Sequence, residues 1–312
     1  MLFTSPVIQR LVDRRVVIVD GGARGVLVPP LDGIPADART LVRFEPDTSA
    51  VIREEPNEKV VRGALWSEPG SVTLHVTREP ACSSIHKPDE RILAGFIDLL
   101  GFPARNVEQR VSVPATTLDA ALADAGVGDA DFIKLDIHGA EYEALLGSRL
   151  ALSRTAVGVL VEGWPVAIHA GQHSFAELDQ LLQEQGFLPF DIALGNWPRK
   201  PPIPARYASR PQSVQVEVLY LLDAAGSRAS SFSPERIAVL IAFAELFGQT
   251  TYAMQVARDA AANGVLSGSD SDEIISAVAQ LNRVPWWRHA IGAAARRVRD
   301  RLDALVIPIA GR

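Results

Sequence analysis

The sequence has little that is typical of secreted, membrane-spanning or disulfide-stabilised proteins. Its 312 residues include one cysteine, Cys82, which cannot form a disulfide within the chain and fits a reducing compartment. No run of about 18 apolar residues occurs, so no membrane span is expected. The first ten residues lack the basic, apolar and small-residue order of a signal peptide. These absences predict a cytoplasmic protein.

The chain also lacks an excess of positive charge. Its formal net charge is −6 at pH 7, which argues against nucleic acid as the main partner. The hydrophobic content of 47% is sufficient for a packed core. Because the length exceeds that of a typical single domain, we expect one large domain with an extension.

The most informative stretch is an apolar run that ends at an acid and then at glycines. Residues 16–19 are valine or isoleucine, Asp20 follows, and Gly21, Gly22 and Gly25 come next. Consecutive β-branched residues are typical of a strand buried on both faces of a parallel sheet. The glycines permit positive φ angles and leave no side chain between the backbone and a ligand. The stretch therefore predicts a nucleotide-type cradle.

A second acid narrows the choice of ligand. The predicted strand over residues 40–44 ends at Glu45, and an acid in that place usually holds a ribose diol. NAD and S-adenosylmethionine (SAM) both contain one. The glycines do not keep the GxGxxG spacing, and Asp20 is expected to repel a pyrophosphate but attract an ammonium or sulfonium group. The pattern thus favours SAM.

Further strands and helices alternate along the chain. Prolines 29, 30 and 35 predict a short or irregular first crossover. Apolar patterns predict strands at 60–66, 71–77, 131–136, 157–161, 188–192 and 214–222, and helices at 118–125, 139–146 and 174–185. Such alternation predicts a parallel sheet, and two final strands without a helix between them predict an antiparallel edge.

The last quarter of the chain differs in composition. A linker rich in glycine, serine and alanine covers 224–233, which divides the chain into a domain at 1–223 and a helical extension at 234–312. Within the extension, residues 285–305 combine paired tryptophans with a basic amphipathic pattern. A helix folded onto the domain or onto a second copy is the favoured interpretation. A peripheral membrane contact is the alternative.

Four stretches, 19–25, 44–47, 117–119 and 132–141, together resemble the FkbM family of SAM-dependent methyltransferases. The last is the most specific, because it carries a lysine, an aspartate and a glycine-alanine-glutamate run. The resemblance covers roughly residues 15–222. It implies an α/β Rossmann-like methyltransferase fold, with a mostly parallel seven-stranded sheet and an antiparallel edge strand, followed by the C-terminal helical extension.

The resemblance also implies a reaction, namely transfer of a methyl group from SAM to a hydroxyl of a sugar, glycan or glycosylated small molecule. It places acceptor-facing groups at the strand end that carries Asp136 and His138. We predict His138 as the general base, oriented or made more basic by Asp136 or Glu162. The alternative is that His138 only caps the following helix or lies at the solvated rim.

The predicted cofactor site combines the cradle with the ends of neighbouring strands. Its residues are Asp20, Gly21, Gly22, Gly25, Glu45, Ala64, Leu65 and Asp136. Ala64 and Leu65 are expected to contact the adenine, although ordinary core positions explain them equally well. Loops at 78–112 and 194–213 are expected to form the acceptor pocket.

Other charged residues have structural explanations. A buried Lys134 needs a partner, for which Glu141 or Glu162 is expected. His169 and His173 have the spacing of a metal pair, but Gly171 between them disfavours a helix, and no metal is predicted. Two other functions remain open: a catalytically inactive methyltransferase-like binding module and an NAD-dependent dehydrogenase. The sequence leaves the oligomeric state open, and a homo-oligomer is compatible with each of these functions.

Overall fold

The computed structural model describes residues 5–50, 52, 56–97, 100–202 and 209–281. The strands in these ranges are β1 Val16–Gly21, β2 Arg39–Phe44, β3 Glu58–Val61, β4 Ala64–Leu65, β5 Gly70–Thr77, β6 Val107–Thr116, β7 Phe132–Leu135, β8 Gly158–Gly163, β9 Phe187–Trp197 and β10 Gln212–Leu222. The α-helices are α1 Pro6–Leu11, α2 Glu90–Leu93, α3 Leu118–Ala125, α4 Glu141–Leu146, α5 Arg149–Arg154, α6 Phe175–Glu184, α7 Pro234–Leu246, α8 Thr250–Ala262 and α9 Gly268–Leu281. None of the helices in these ranges is long and apolar enough to cross a membrane.

Seven strands form the main sheet, in the order β3-β2-β1-β7-β8-β10-β9. The first five are parallel to their neighbours, whereas β10 is antiparallel to both β8 and β9. The predicted α/β Rossmann-like fold with an antiparallel strand near the edge is thereby confirmed. The strand order reverses between β1 and β7, and sheets of this kind bind ligands beyond the carboxyl ends of the strands at that point.

The central strand β1 is buried along its whole length. Its valine and isoleucine side chains fill both faces of the sheet, as β-branched residues do in buried parallel strands. Between β1 and β2 the chain forms only one short 3-10 turn, Leu31–Gly33. The irregular crossover predicted from the prolines is confirmed, because proline lacks the backbone donor that a longer helix needs.

A second sheet of three strands, in the order β4-β6-β5, lies outside the main sheet. The predicted strand at 60–66 is wrong as a single element: β3 joins the main sheet, and β4 pairs with β6 instead. Residues 62–63 separate the two. The antiparallel pairing of β5 with β6 completes this sheet, and β4 brings Ala64 and Leu65 to the ligand end of the fold.

Helices α7 to α9 share the hydrophobic core of the main sheet. The rings of Phe243 and Phe247 stack on Phe132 of β7, with centroids 4.8 and 5.1 Å away. Eight of the thirteen residues of α7 are buried, so this helix packs on the domain as a structural layer. The division at 223–234 stays a prediction. The amphipathic segment at 285–305 lies outside the described residues.

Candidate functional site

A cavity of about 390 Å³ opens at the carboxyl ends of β1, β2 and β7. Its walls come from the glycine turn after β1, the end of β2, strand β4, residues 80–81 and 83–85, and the loop after β7. The volume falls in the range of sites for small molecules. The cavity therefore lies at the switch point that the fold predicts.

Gly22 is the glycine that the turn after β1 requires. Its φ is +81°, and a Cβ at this position lies only 1.9 Å from the carbonyl oxygen of Asp136. The N–H groups of Gly22 and Ala23 both donate to the Phe44 carbonyl at 3.2 Å, which fixes the turn against the end of β2. Gly25 also lines the cavity, but a Cβ there meets nothing within 4 Å.

Glu45 follows β2 and lines the cavity beside this turn. It is 6% exposed, and its Oε1 atom accepts a hydrogen bond from the Asp47 N–H at 2.9 Å. Burial raises the pKa of the Glu45 carboxyl, although that hydrogen bond acts in the opposite direction. Within the described ranges no donor reaches Oε2, so this oxygen is available to a ligand.

Asp20 does not line the cavity, and neither does Gly21. The Asp20 carboxylate lies inside the protein, 3.0 Å from the Lys134 ammonium and 3.7 Å from the Arg43 guanidinium. Asp20 is therefore an ion-pair partner inside the protein, and its carboxylate is not placed for direct contact with a cofactor in the cavity. The expected partner of Lys134 was wrong: it is Asp20 rather than Glu141 or Glu162.

The apolar part of the wall comes from β4. Ala64 and Leu65 are 4% and 3% exposed and both line the cavity. Leu65 also packs against the backbone of the glycine turn, where its Cδ1 lies 3.2 Å from a Cβ built at Gly21. These two residues thus combine a core position with a surface that a flat ring can contact.

At the loop after β7, three side chains converge: Asp136, His138 and Glu162, here called the strand-end triad. One ligand atom of each lies within 4.8 Å of the other two. The Nδ1 atom of His138 is 3.5 Å from Oε2 of Glu162. Asp136 and His138 line the cavity, while Glu162 lies behind them in β8. The structure therefore brings together the three residues that the sequence predicted for catalysis.

The backbone that presents His138 is strained and firmly held. His138 has a φ of +53°, which is uncommon for a residue other than glycine. Its carbonyl accepts a hydrogen bond from Ser84 Oγ at 2.6 Å. The Glu141 carboxylate accepts hydrogen bonds from the N–H groups of Ile137 and Gly139 at 2.9 and 2.8 Å. Ser84 and Glu141 thus act as positioning residues, a role that no sequence pattern predicted.

Residues 36–189 match the Methyltransferase FkbM domain. The chain therefore contains an FkbM methyltransferase domain. The matched region contains Glu45, Ala64, Leu65 and the strand-end triad, whereas the glycine turn precedes it. The predicted family is confirmed, and methyl transfer is the activity of that family.

Two solved structures are similar to this chain at low sequence identity. The methyltransferase FkbM from Methylobacillus flagellatus KT is 14% identical, with a TM-score of 0.33; the match covers 66% of this chain and 44% of that chain, less than half its length. The magnesium protoporphyrin IX methyltransferase (ChlM) from Synechocystis PCC 6803, solved with bound SAM, is 13% identical, with a TM-score of 0.31. That match covers 70% of this chain and 76% of that chain. No curated protein matches the chain.

Electrostatics distinguish the members of the strand-end triad. Burial lowers the pKa of His138, although the negative charge of Asp136 acts to raise it. The imidazole is therefore neutral at pH 7. Burial also raises the pKa of Glu162 well above its usual range, and the negative charge of Asp136 raises it further. Burial raises the pKa of Glu141 to about 8, against the two backbone N–H donors.

The other histidines have separate surroundings. His169 is buried and contacts Gln172 at 3.2 Å, and burial lowers its pKa to about 3. His173 instead stacks on Tyr142 with ring centroids 3.9 Å apart, and contacts Glu177 at 3.1 Å. His169 and His173 therefore do not converge on a shared ligand position.

Proposed function

We propose that this chain is a SAM-dependent O-methyltransferase that acts on a hydroxyl group of a sugar, a glycan or a glycosylated small molecule. One observation carries the proposal. A single cavity is lined both by the glycine turn and Glu45 and by Asp136 and His138. The glycine turn and Glu45 are suited to bind the nucleoside of a methyl donor. Asp136 and His138 are suited to receive the proton of an acceptor hydroxyl.

The residues present fit the donor in three respects. Gly22 lines the cavity, and because it has no side chain the glycine turn lies directly against the Asp136 carbonyl. Glu45 offers a carboxylate oxygen that is free of protein donors in the described ranges, as a ribose diol requires. Ala64 and Leu65 provide an apolar wall for the adenine.

The cofactor, when bound, supplies an electrophilic methyl group on a positively charged sulfur. The chain contributes alignment of the acceptor oxygen and exclusion of water, because an in-line displacement gains chiefly from both. The tightly held loop at 136–141 provides a rigid surface for that alignment. A proton acceptor near the hydroxyl adds about 10²- to 10⁴-fold.

The strand-end triad is the proposed proton acceptor. His138 is neutral because burial lowers its pKa, so its imidazole is able to take a proton. The Nδ1 atom faces Glu162 at 3.5 Å, and the negative charge of Asp136 stabilises an imidazolium once it forms. In this arrangement we assign His138 as the base, with Glu162 orienting the imidazole and Asp136 raising its basicity.

The acceptor side of the cavity is formed by one of the two predicted loops. Residues 80–81 and 83–85, from the loop at 78–112, line the cavity, and Ser83 offers a hydroxyl to a polar acceptor. Residues of the loop at 194–213 that the structure describes do not line it. The preference for a sugar hydroxyl rests on the resemblance of the sequence to the family.

Methyl transfer itself tests the proposal. The protein is incubated with SAM and a panel of glycans, glycosides and matching aglycones, and products are analysed by mass spectrometry for one added methyl group. We expect glycosylated acceptors to be methylated, with the activity lost in Asp136→Asn and retained in the control Asp191→Asn on the surface of β9. SAM binding without transfer to any acceptor contradicts the proposal and supports the inactive binding module.

A further inference from the structure

We propose that Asp136, His138 and Glu162 form a binding site for one divalent cation. Cation binding itself stands on the geometry of these residues. Its consequence for the reaction rests on the proposed function.

The first observation is the arrangement of the ligand atoms. Two carboxylates and one imidazole present three atoms within 4.8 Å of one another. Two ligand atoms that are each about 2.1 Å from a cation lie at most roughly 4.2 Å apart. The distances between the ligand atoms of the triad therefore need to shorten by only a few tenths of an ångström. Its members come from the ends of β7 and β8, which are neighbouring strands in the rigid centre of the sheet.

The second observation is that two buried ligand atoms face each other without a hydrogen bond. Neither Nδ1 of His138 nor Oε2 of Glu162 has a partner, although they lie 3.5 Å apart. The side chain of Glu162 is only 5% exposed. Buried polar atoms in folded proteins are rarely left unsatisfied, so a proton or a cation belongs between these two atoms.

The surrounding hydrogen bonds direct both atoms toward the same point. The Oε1 atom of Glu162 accepts a hydrogen bond from the Gln215 side-chain amide, which leaves Oε2 free. The Ser84 hydroxyl donates to the His138 carbonyl at 2.6 Å, which fixes the backbone that presents the imidazole, and Nδ1 faces Oε2 of Glu162 at 3.5 Å.

Nearby positive charges do not neutralise the triad directly. The Arg105 and Lys134 cations influence Glu162 electrostatically, but Lys134 pairs with Asp20 at 3.0 Å. Arg105 donates from Nε to the Leu100 carbonyl and lies over the Trp197 ring. Among the residues that the structure describes, Glu162 has an ion-pair contact with His138 alone. A buried carboxylate without full compensation favours an added cation.

The ligand set indicates which cation binds. Two carboxylates favour Mg²⁺ or Mn²⁺, and one imidazole shifts the preference toward Mn²⁺. Because Asp136 and His138 line the cavity, open coordination positions face the acceptor. If the proposed function holds, an acceptor hydroxyl bound there loses its proton to solvent more readily. His138 is then a ligand of the cation rather than the base: the cation lowers the pKa of the bound hydroxyl, and the proton goes to solvent.

The test measures Mn²⁺ binding to protein stripped with a chelator, by calorimetry and by electron paramagnetic resonance. We expect one Mn²⁺ per chain, with nitrogen hyperfine coupling from His138. Glu162→Gln and His138→Ala are expected to weaken binding by about tenfold or more, since each removes one of three ligands. The matched control is His173→Ala, which removes another histidine with a glutamate contact, His173 to Glu177 at 3.1 Å, and is expected to bind like the wild type.

Two outcomes overturn the cation site: no Mn²⁺ binding by the wild type, or equal binding by wild type and both triad variants that circular dichroism shows to be folded. SAM titrated into the same stripped protein separates this inference from the proposed function. SAM binding without Mn²⁺ binding contradicts only the cation site. Mn²⁺ binding without SAM binding contradicts only the proposed function.

Discussion

The Lys134 ammonium lies 3.0 Å from the Asp20 carboxylate, and these two residues are direct neighbours across β1 and β7. Arg43 occupies the matching position on β2, with its Nε 3.7 Å from Asp20. All three are almost fully buried. Lys134 also donates to the Gly21 carbonyl at 3.2 Å. One buried acid therefore joins the three central strands directly beneath the glycine turn.

Lys134→Met is predicted to destabilise the protein by about 3 kcal/mol, because it leaves Asp20 with only the more distant Arg43 as a counter-charge. Urea unfolding measures this loss. Lys59→Met is the control: that lysine is exposed and contacts the Ala125 carbonyl, so the free energy of unfolding is expected to change by no more than about 0.5 kcal/mol. Equal stability of the two variants contradicts the structural role of Lys134.

Gly22→Ala is predicted to cost at least about 1 to 3 kcal/mol, because φ is positive there and the new Cβ collides with the Asp136 carbonyl. The shift required of the loop at 136–140 is also expected to abolish SAM binding. Gly25→Ala adds a methyl group to the same turn, where nothing lies within 4 Å, and its thermal unfolding is expected to match that of the wild type. A stable Gly22→Ala variant that binds SAM normally contradicts this account.

SAM affinity is predicted to fall at acidic pH through Glu45. Burial raises the pKa of this carboxyl, so it takes up a proton at a higher pH than an ordinary glutamate. Above that pKa the ionised carboxylate accepts the ribose hydroxyls and affinity is constant. Below it, affinity falls by up to about tenfold per pH unit, as for one proton linked to binding. The matched variant Glu45→Gln is expected to give weaker binding that does not change over this range.

Ser84→Ala is predicted to lower kcat by about tenfold with little change in the KM for SAM, because the variant releases the His138 carbonyl and loosens the strained loop. Ser84→Thr keeps the hydroxyl and is expected to restore most of the activity. Ser71→Ala removes an exposed hydroxyl that contacts Ser112 and serves as the control. A loss in Ser84→Ala that Ser84→Thr does not restore contradicts a positioning role.

The parts of the fold with strong local patterns were predictable. Strand β1 carries four consecutive β-branched residues, and Ser174 caps the N-terminus of α6 in a capping box with Glu177. Strand β6 was not predicted. Its polar residues at 108–110 and a proline at 114 interrupt the alternation, and its pairing with β5 depends on a contact distant in sequence.

The candidate site shows the same division between local and non-local information. Acids and glycines at strand ends indicated the place of the cavity, and the structure brings the strand-end triad together there. The pairing of Asp20 with Lys134 depends on the register between strands, which no single stretch encodes. The orientation of Nδ1 toward Glu162 depends on a left-handed residue and on Ser84, 54 positions away in the chain.

The central claim is that the cavity between the glycine turn, Glu45 and Asp136 holds SAM. Calorimetric titration of the wild type and Glu45→Ala with SAM, and separately with NAD, tests it most directly. The account predicts one SAM per wild-type chain and no binding of NAD. In Glu45→Ala the affinity for SAM is expected to fall by about tenfold or more, because charge-assisted hydrogen bonds to the ribose are lost. Absence of SAM binding by the folded wild type, or unchanged affinity in Glu45→Ala, contradicts it.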